Sequence, residues 1–145
     1  MNIRWRALIL AVSFLCPACG SSPTSPSTTS SSTTSTTSLP SFFELTVPQG
    51  ADSFYSFTQS QNGNMSATLA SITVGKSPAA VPIIMRLGVG VPAGEGCAVN
   101  NFVDVTPSLT TEFTATLVPG TYCIDVADIG NLPADAVVSV RYAHS

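Results

Sequence analysis

Four cysteines, one histidine and eight carboxylates are the side chains of this sequence that could do chemistry. His144 is the penultimate residue. A serine or cysteine nucleophile needs an imidazole held beside it by a third group. A histidine in a C-terminal stretch that reads as frayed is badly placed for that role. Zinc sites gather Cys and His in clusters, whereas the cysteines fall at 16, 19, 97 and 123 and form none with His144. Calcium takes carboxylates and loop carbonyls. Glu95, Asp104, Asp125 and Asp128 are the acids to weigh for it, but no stretch matches a calcium-loop pattern, and isolated acids are more often solvated. Gly88-Val-Gly-Val-Pro-Ala-Gly94 lacks both the Lys-Ser/Thr ending of a phosphate loop and a helix after it, so it reads as a plain loop. The expectation is no catalytic residue, no metal and no cofactor.

The cysteines sort by position. Arg4 and Arg6 precede the short apolar run Ala7–Leu15, and Cys16-Pro-Ala-Cys19-Gly-Ser-Ser comes directly after it. A run this short does not cross a bilayer core as a mature helix but suits the apolar centre of an export signal. The stretch resembles a bacterial lipoprotein signal with Cys19 as the lipidated residue. Ala18 supplies the small residue before that cysteine, and Gly20-Ser-Ser suits the positions just after it. Cys16 and Pro17 depart from the usual pattern, and two alternatives stay open. Cleavage after Ala18 by ordinary signal peptidase would release a soluble protein, and Cys16 could itself be modified, although bulky Leu15 precedes it. Residues 1–18 are therefore expected to be a signal peptide and 19–40 a lipidated cysteine with its tether. From Gly20 to Pro40 only Gly20 and Leu39 interrupt Ser, Thr and Pro. Such a segment has nothing to bury against the entropy of ordering. As a coil it would span roughly 25 Å, and fully stretched about 70 Å.

With Cys16 in the leader and Cys19 taken by lipid, Cys97 and Cys123 are the two thiols left in the exported domain. An oxidising compartment favours one bridge between them. Cys123 alternates with Tyr122, Ile124 and Val126, so the bridge is expected off the main core face. It should pin the Gly94–Asn101 loop to the outside or edge of the sheet.

Residues 41–145 are the elements that must position these groups, and they amount to one domain. Phe43, Leu45 and Val47 share a face in the first run, which Pro48-Gln-Gly50 closes. Tyr55 and Phe57 share the next. Met65, Ala67 and Leu69 are followed by Ile72 and Val74, a change of phase that predicts a bulge near Ala70-Ser71. Ile83, Met85, Leu87 and Val89 form one face, and Leu109, Phe113, Ala115 and Leu117 another. Pro119-Gly120 reads as a hairpin turn into Thr121–Val126, and Val138, Val140 and Tyr142 close the series. Seven or eight short strands with no helical stripe predict an all-β antiparallel sandwich.

Asp52-Ser-Phe-Tyr-Ser-Phe-Thr58, with Leu117-Val-Pro-Gly-Thr-Tyr122 and Val126 later, resembles the bacterial pre-peptidase C-terminal domain over roughly Phe42 to Tyr142. That resemblance implies a jelly-roll-like sandwich of the kind appended to secreted enzymes, without catalytic residues. Here a lipoprotein-like leader stands where the enzyme would stand.

Charge narrows the function further. From Cys19 onward, three bases (Lys76, Arg86, Arg141) meet eight acids, giving −5. Scattered bases in an acidic chain provide no footprint for nucleic acid. Flat aromatic faces are what sugars stack on. Trp5 leaves with the leader, and Tyr55 and Tyr122 read as core, with Tyr142 open to either reading. The expectation is a non-catalytic lipoprotein of a bacterial envelope. It would sit at the outer membrane or cell surface, or be secreted or periplasmic if unanchored. Its sandwich would serve protein contact or a structural role. The alternative is a tethered carbohydrate-binding module.

Overall fold

The structure, a computed structural model, describes residues 39–145. The expected signal peptide, Cys16, Cys19 and nearly all of the expected tether lie outside the described residues.

Eight strands succeed one another: β1 (Ser41–Val47), β2 (Asp52–Gln59), β3 (Gly63–Val74), β4 (Met85–Ala93), β5 (Gly96–Val105), β6 (Phe113–Leu117), β7 (Gly120–Ala127) and β8 (Ala136–His144). They form two four-stranded antiparallel sheets, ordered β1-β8-β3-β6 and β2-β7-β4-β5. The pairs β1–β8, β2–β7, β3–β6 and β4–β5 nest inside one another. The chain is thus one long ribbon doubled back at β4–β5 and rolled into a sandwich, the strand order of a jelly roll. Only the β4–β5 connection is a tight hairpin. There Gly94, at φ +60°, takes the first turn position of a type II′ turn.

The core is built as the alternation dictates. Val47, Phe57, Met65, Leu69, Ile72, Met85, Leu87, Ile124, Val126, Val138 and Val140 are buried between the sheets. Each such side chain contributes about 1.5–3 kcal/mol by leaving water. The change of phase in β3 is a bulge. Leu69 lies opposite Val140 and Ser71 opposite Ser139, so Ala70 is the extra residue that lets both Leu69 and Ile72 face inward. The 106–112 loop serves the backbone around that bulge. Ser108 N–H donates to Leu69 C=O at 2.9 Å, and Leu69 N–H donates to Glu112 Oε2 at 3.0 Å.

Several sequence expectations need correction. Pro119-Gly120 is not a hairpin turn, because β6 pairs with β3 in one sheet and β7 with β2 and β4 in the other. Pro-Gly marks a change of direction, and a corner between sheets uses the same chemistry. A Cβ on Gly120 would meet the Tyr122 ring at 3.4 Å, an ordinary contact, so the corner does not depend on glycine for room. The expected loop Gly94–Asn101 is mostly β5, and the expected loop Gly88–Gly94 is mostly the second half of β4. Paired asparagines and glycines hid both strands from propensity. Leu109 does not share the face of Phe113; it is 84% exposed, in a loop turned by the Ser108 and Thr110 hydroxyls. The C-terminus is not frayed, because β8 runs to His144, which pairs with Met65.

Candidate functional site

Of the expected site residues, Cys97, Cys123, Asp104 and Asp125 lie on the outer side of the β2-β7-β4-β5 sheet. Along β7, Tyr122, Ile124 and Val126 turn inward, so Cys123 and Asp125 face outward. Cys123 is paired with Ser56 on one side and Gly90 on the other, and Asp125 with Phe54 and Gly88. Both outward residues are nonetheless covered: Cys123 is 0% exposed and Asp125 5%.

The cover is the β4–β5 hairpin itself. Its register shifts between Val89 and Gly90, where Asn101 gives way to Val99. Past that bulge β5 bends back over the sheet. A Cβ on Gly90 would run into the Ala98 carbonyl, and one on Gly88 would come within 2.7 Å of the Val99 side chain. Glycine at both positions is what allows this close approach. Cys97, on the folded-back strand, is bonded to Cys123, with Cα atoms 6.0 Å apart. The bridge thus lies off the core face, as expected, and fastens a strand hairpin rather than a loop.

Beneath this cover, burial pushes the Asp125 carboxyl up to about 6, with neighbouring Asp52 adding to the shift. Asp125 Oδ1 is the one buried side-chain oxygen or nitrogen without a partner among the described residues. Nearer the edge, Arg86 grips Asp104 through Nε at 2.8 Å and Nη2 at 3.1 Å and lies 4.1 Å over the Phe102 ring. The guanidinium hydrogen bonds hold Asp104 below the usual carboxylate range.

The four acids weighed for calcium do not assemble. Asp104 is engaged by Arg86, and Glu95 sits at the hairpin tip. Asp128 is committed elsewhere. Its Oδ1 accepts from the N–H groups of Gly130, Asn131 and Leu132, and its Oδ2 from Gly50 N–H, at 2.8–3.1 Å. Among the described residues no three of His, Cys, Asp and Glu are grouped to hold a metal. Asp128 pins the β7–β8 loop to the β1–β2 turn. Burial pushes its carboxyl up slightly, and the backbone donors outweigh that and hold it low. Its stabilisation is therefore present above the unfolded value of 3.8 and lost as pH falls below it. Asp128→Ala should cost about 1–2 kcal/mol by urea denaturation at neutral pH, and Asp128→Asn about half that. An alanine variant as stable as the parent would show that water replaces these bonds.

His144 is part of the fold. Its ring lies 5.0 Å from Phe57 and stacks 5.7 Å from Tyr142, with Nδ1 3.1 Å from Gln59 Oε1. Tyr142 is core, donating its hydroxyl to Tyr55 at 3.3 Å, and burial pushes it up to about 12. Sequence reasoning missed Glu112, the burial of Asp125 and the reach of Asp128. Only the last left a local signal, an aspartate two residues before Gly130, the pattern of an Asx turn.

Fold and site together define the class: an eight-stranded jelly-roll sandwich with a disulfide-fastened outer face. No protein-family model matches the chain, and the search of curated proteins returns no match either.

Proposed function

We propose that this chain is a non-catalytic, lipid-anchored module of a bacterial envelope. Cys19 carries the lipid, residues 20–40 space the domain from the bilayer, and the jelly roll serves protein contact or a structural role. The reading is carried by the succession of parts in the sequence: a charged start and short apolar run, then Ala18-Cys19-Gly20, then a Ser/Thr/Pro stretch that leads directly into β1 at Ser41. The resemblance to pre-peptidase C-terminal domains fits a secreted accessory sandwich. The placement of aromatics supports this reading over a carbohydrate-binding module. Tyr55, Tyr122 and Tyr142 pack in or against the core, and exposed Phe42 and Phe102 stand on different sheets. Of the two rings on the outer face of the Phe102 sheet, Phe54 is half-buried and Phe102 is covered by Arg86. Metabolic labelling with an alkyne fatty acid should mark the protein, and Cys19→Ala should abolish the mark. Equal labelling of the variant would sink the anchor.

A further inference from the structure

We propose that the free edge of β6 is a self-association surface, occupied by β6 of a second copy of this chain in an antiparallel pair centred on Ala115. Each sheet has two edges: β1 and β6 in one, β2 and β5 in the other. Exposed edges invite pairing unless charge, proline, bulges or a covering segment blunts them. Three of the four carry such devices. β1 comes after Pro40 and contains Glu44, β2 opens on Asp52, and β5 carries Asp104 and a bulge and folds back under the disulfide. β6, Phe113-Thr-Ala-Thr-Leu117, has no charge, no proline and an unbroken register with β3. Among the described residues its strand partner is β3 alone, so its outer row of backbone groups is unpaired.

The sequence of β6 is close to symmetric about Ala115. Antiparallel pairing there sets Thr114 opposite Thr116 of the second copy, and Phe113 opposite Leu117 of the second copy. Thr–Thr and apolar cross-strand pairs are both favourable. Phe113 and Leu117 face each copy's own core, whereas Thr114 and Thr116 are exposed. The arrangement is isologous and closes as a two-fold dimer, joining two four-stranded sheets into one of eight. The strip is also where a domain with three bases and eight acids from Ser41 onward can meet its copy without opposing like charges. The adjacent acid, Glu112, is turned to Leu69 N–H, and Val118, 61% exposed, extends the strip with apolar surface. Five residues a side make a small interface, so the dimer is weak and concentration-dependent.

Sedimentation velocity of the full chain in a density-matched detergent, from about 1 μM to about 1 mM, tests this. The parent should shift from monomer to dimer across that range. Thr114→Lys/Thr116→Lys places like charges opposite each other twice per dimer and should weaken association about three- to tenfold. Thr114→Lys/Thr116→Glu places opposite charges together in the same register and should strengthen it by a similar factor. Both pairs of substitutions sit at exposed positions, and unchanged thermal melts will show that each monomer folds. A parent that stays monomeric throughout overturns the proposal, as do two variants that change association equally or leave it alone.

Discussion

Reducing the Cys97–Cys123 bridge is expected to lower the melting temperature of the domain by roughly 10–20 °C. The two residues are 26 apart, and closing a loop of that length in the unfolded chain is worth about 3.5 kcal/mol. A domain of this size has a total stability of about 5–15 kcal/mol, so the loss is a large share. The folded state adds a local reason. The bridge crosses from β5 to β7 over Gly90 of β4 and holds the folded-back hairpin down on a face it covers without a large apolar contact of its own. Amides of 97–101 should therefore gain hydrogen exchange on reduction before those of β7 and β8. Calorimetry with and without reductant, checked with Cys97→Ala/Cys123→Ala, measures the effect. A fall under about 3 °C would show that the hairpin stays closed by packing alone.

Between about pH 4 and pH 7 the domain should become less stable as pH rises, by about 1–2 kcal/mol, and Asp125→Asn should flatten that slope. Burial, with Asp52 adding, raises the folded value to about 6 from 3.8. A raised folded value means the stabilisation is fully present below the unfolded value and is lost as pH climbs through the folded one. Below about pH 6 the buried Asp125 carboxyl is protonated and can donate toward Asp52; above it, a charge must be held under the hairpin beside Asp52. The full shift would correspond to about 3 kcal/mol, but exposed Asp52 screens part of it. The other groups on this face, Arg86 and Asp104, neutralise each other. Glu112, also raised by burial, acts in the same direction from the other sheet. Asp128 and Asp104 are held low, so their contributions change on the acid side, below about pH 4. Melting temperatures across this range decide the matter. An Asp125→Asn profile parallel to that of the parent would place the slope elsewhere.

Much of the sandwich was legible in the sequence because alternation is a local signal. The inward sets of β1, β3, β7 and β8 come directly from it, and so does the bulge at Ala70, since a period of two cannot change face without an extra residue. The disulfide emerged by elimination among four cysteines. What stayed hidden was set by chain segments distant in sequence. Asp125 alternates like a solvent-facing residue, and only Gly88 and Gly90, 35 or more positions earlier, let another strand lie over it. Pro119-Gly120 announces a turn without saying whether the next strand joins the same sheet. Leu109 has the spacing of its neighbours in β6, yet hydroxyl-capped turns carry it away from them.

The nested pairing also fixes an order of events. Ser41 finds its partner in Tyr142, and Val47 in Ala136, so the first of the described strands pairs only with the last. Whatever the earlier strands do while the chain emerges, the outermost ladder must wait for about a hundred residues to be present and then close the longest loop in the domain. Contacts so distant in sequence slow folding. Until β8 arrives, Phe43, Leu45 and Val47 have no sheet partner, so a nascent chain carries this hydrophobic strand unpaired while the six strands between are made.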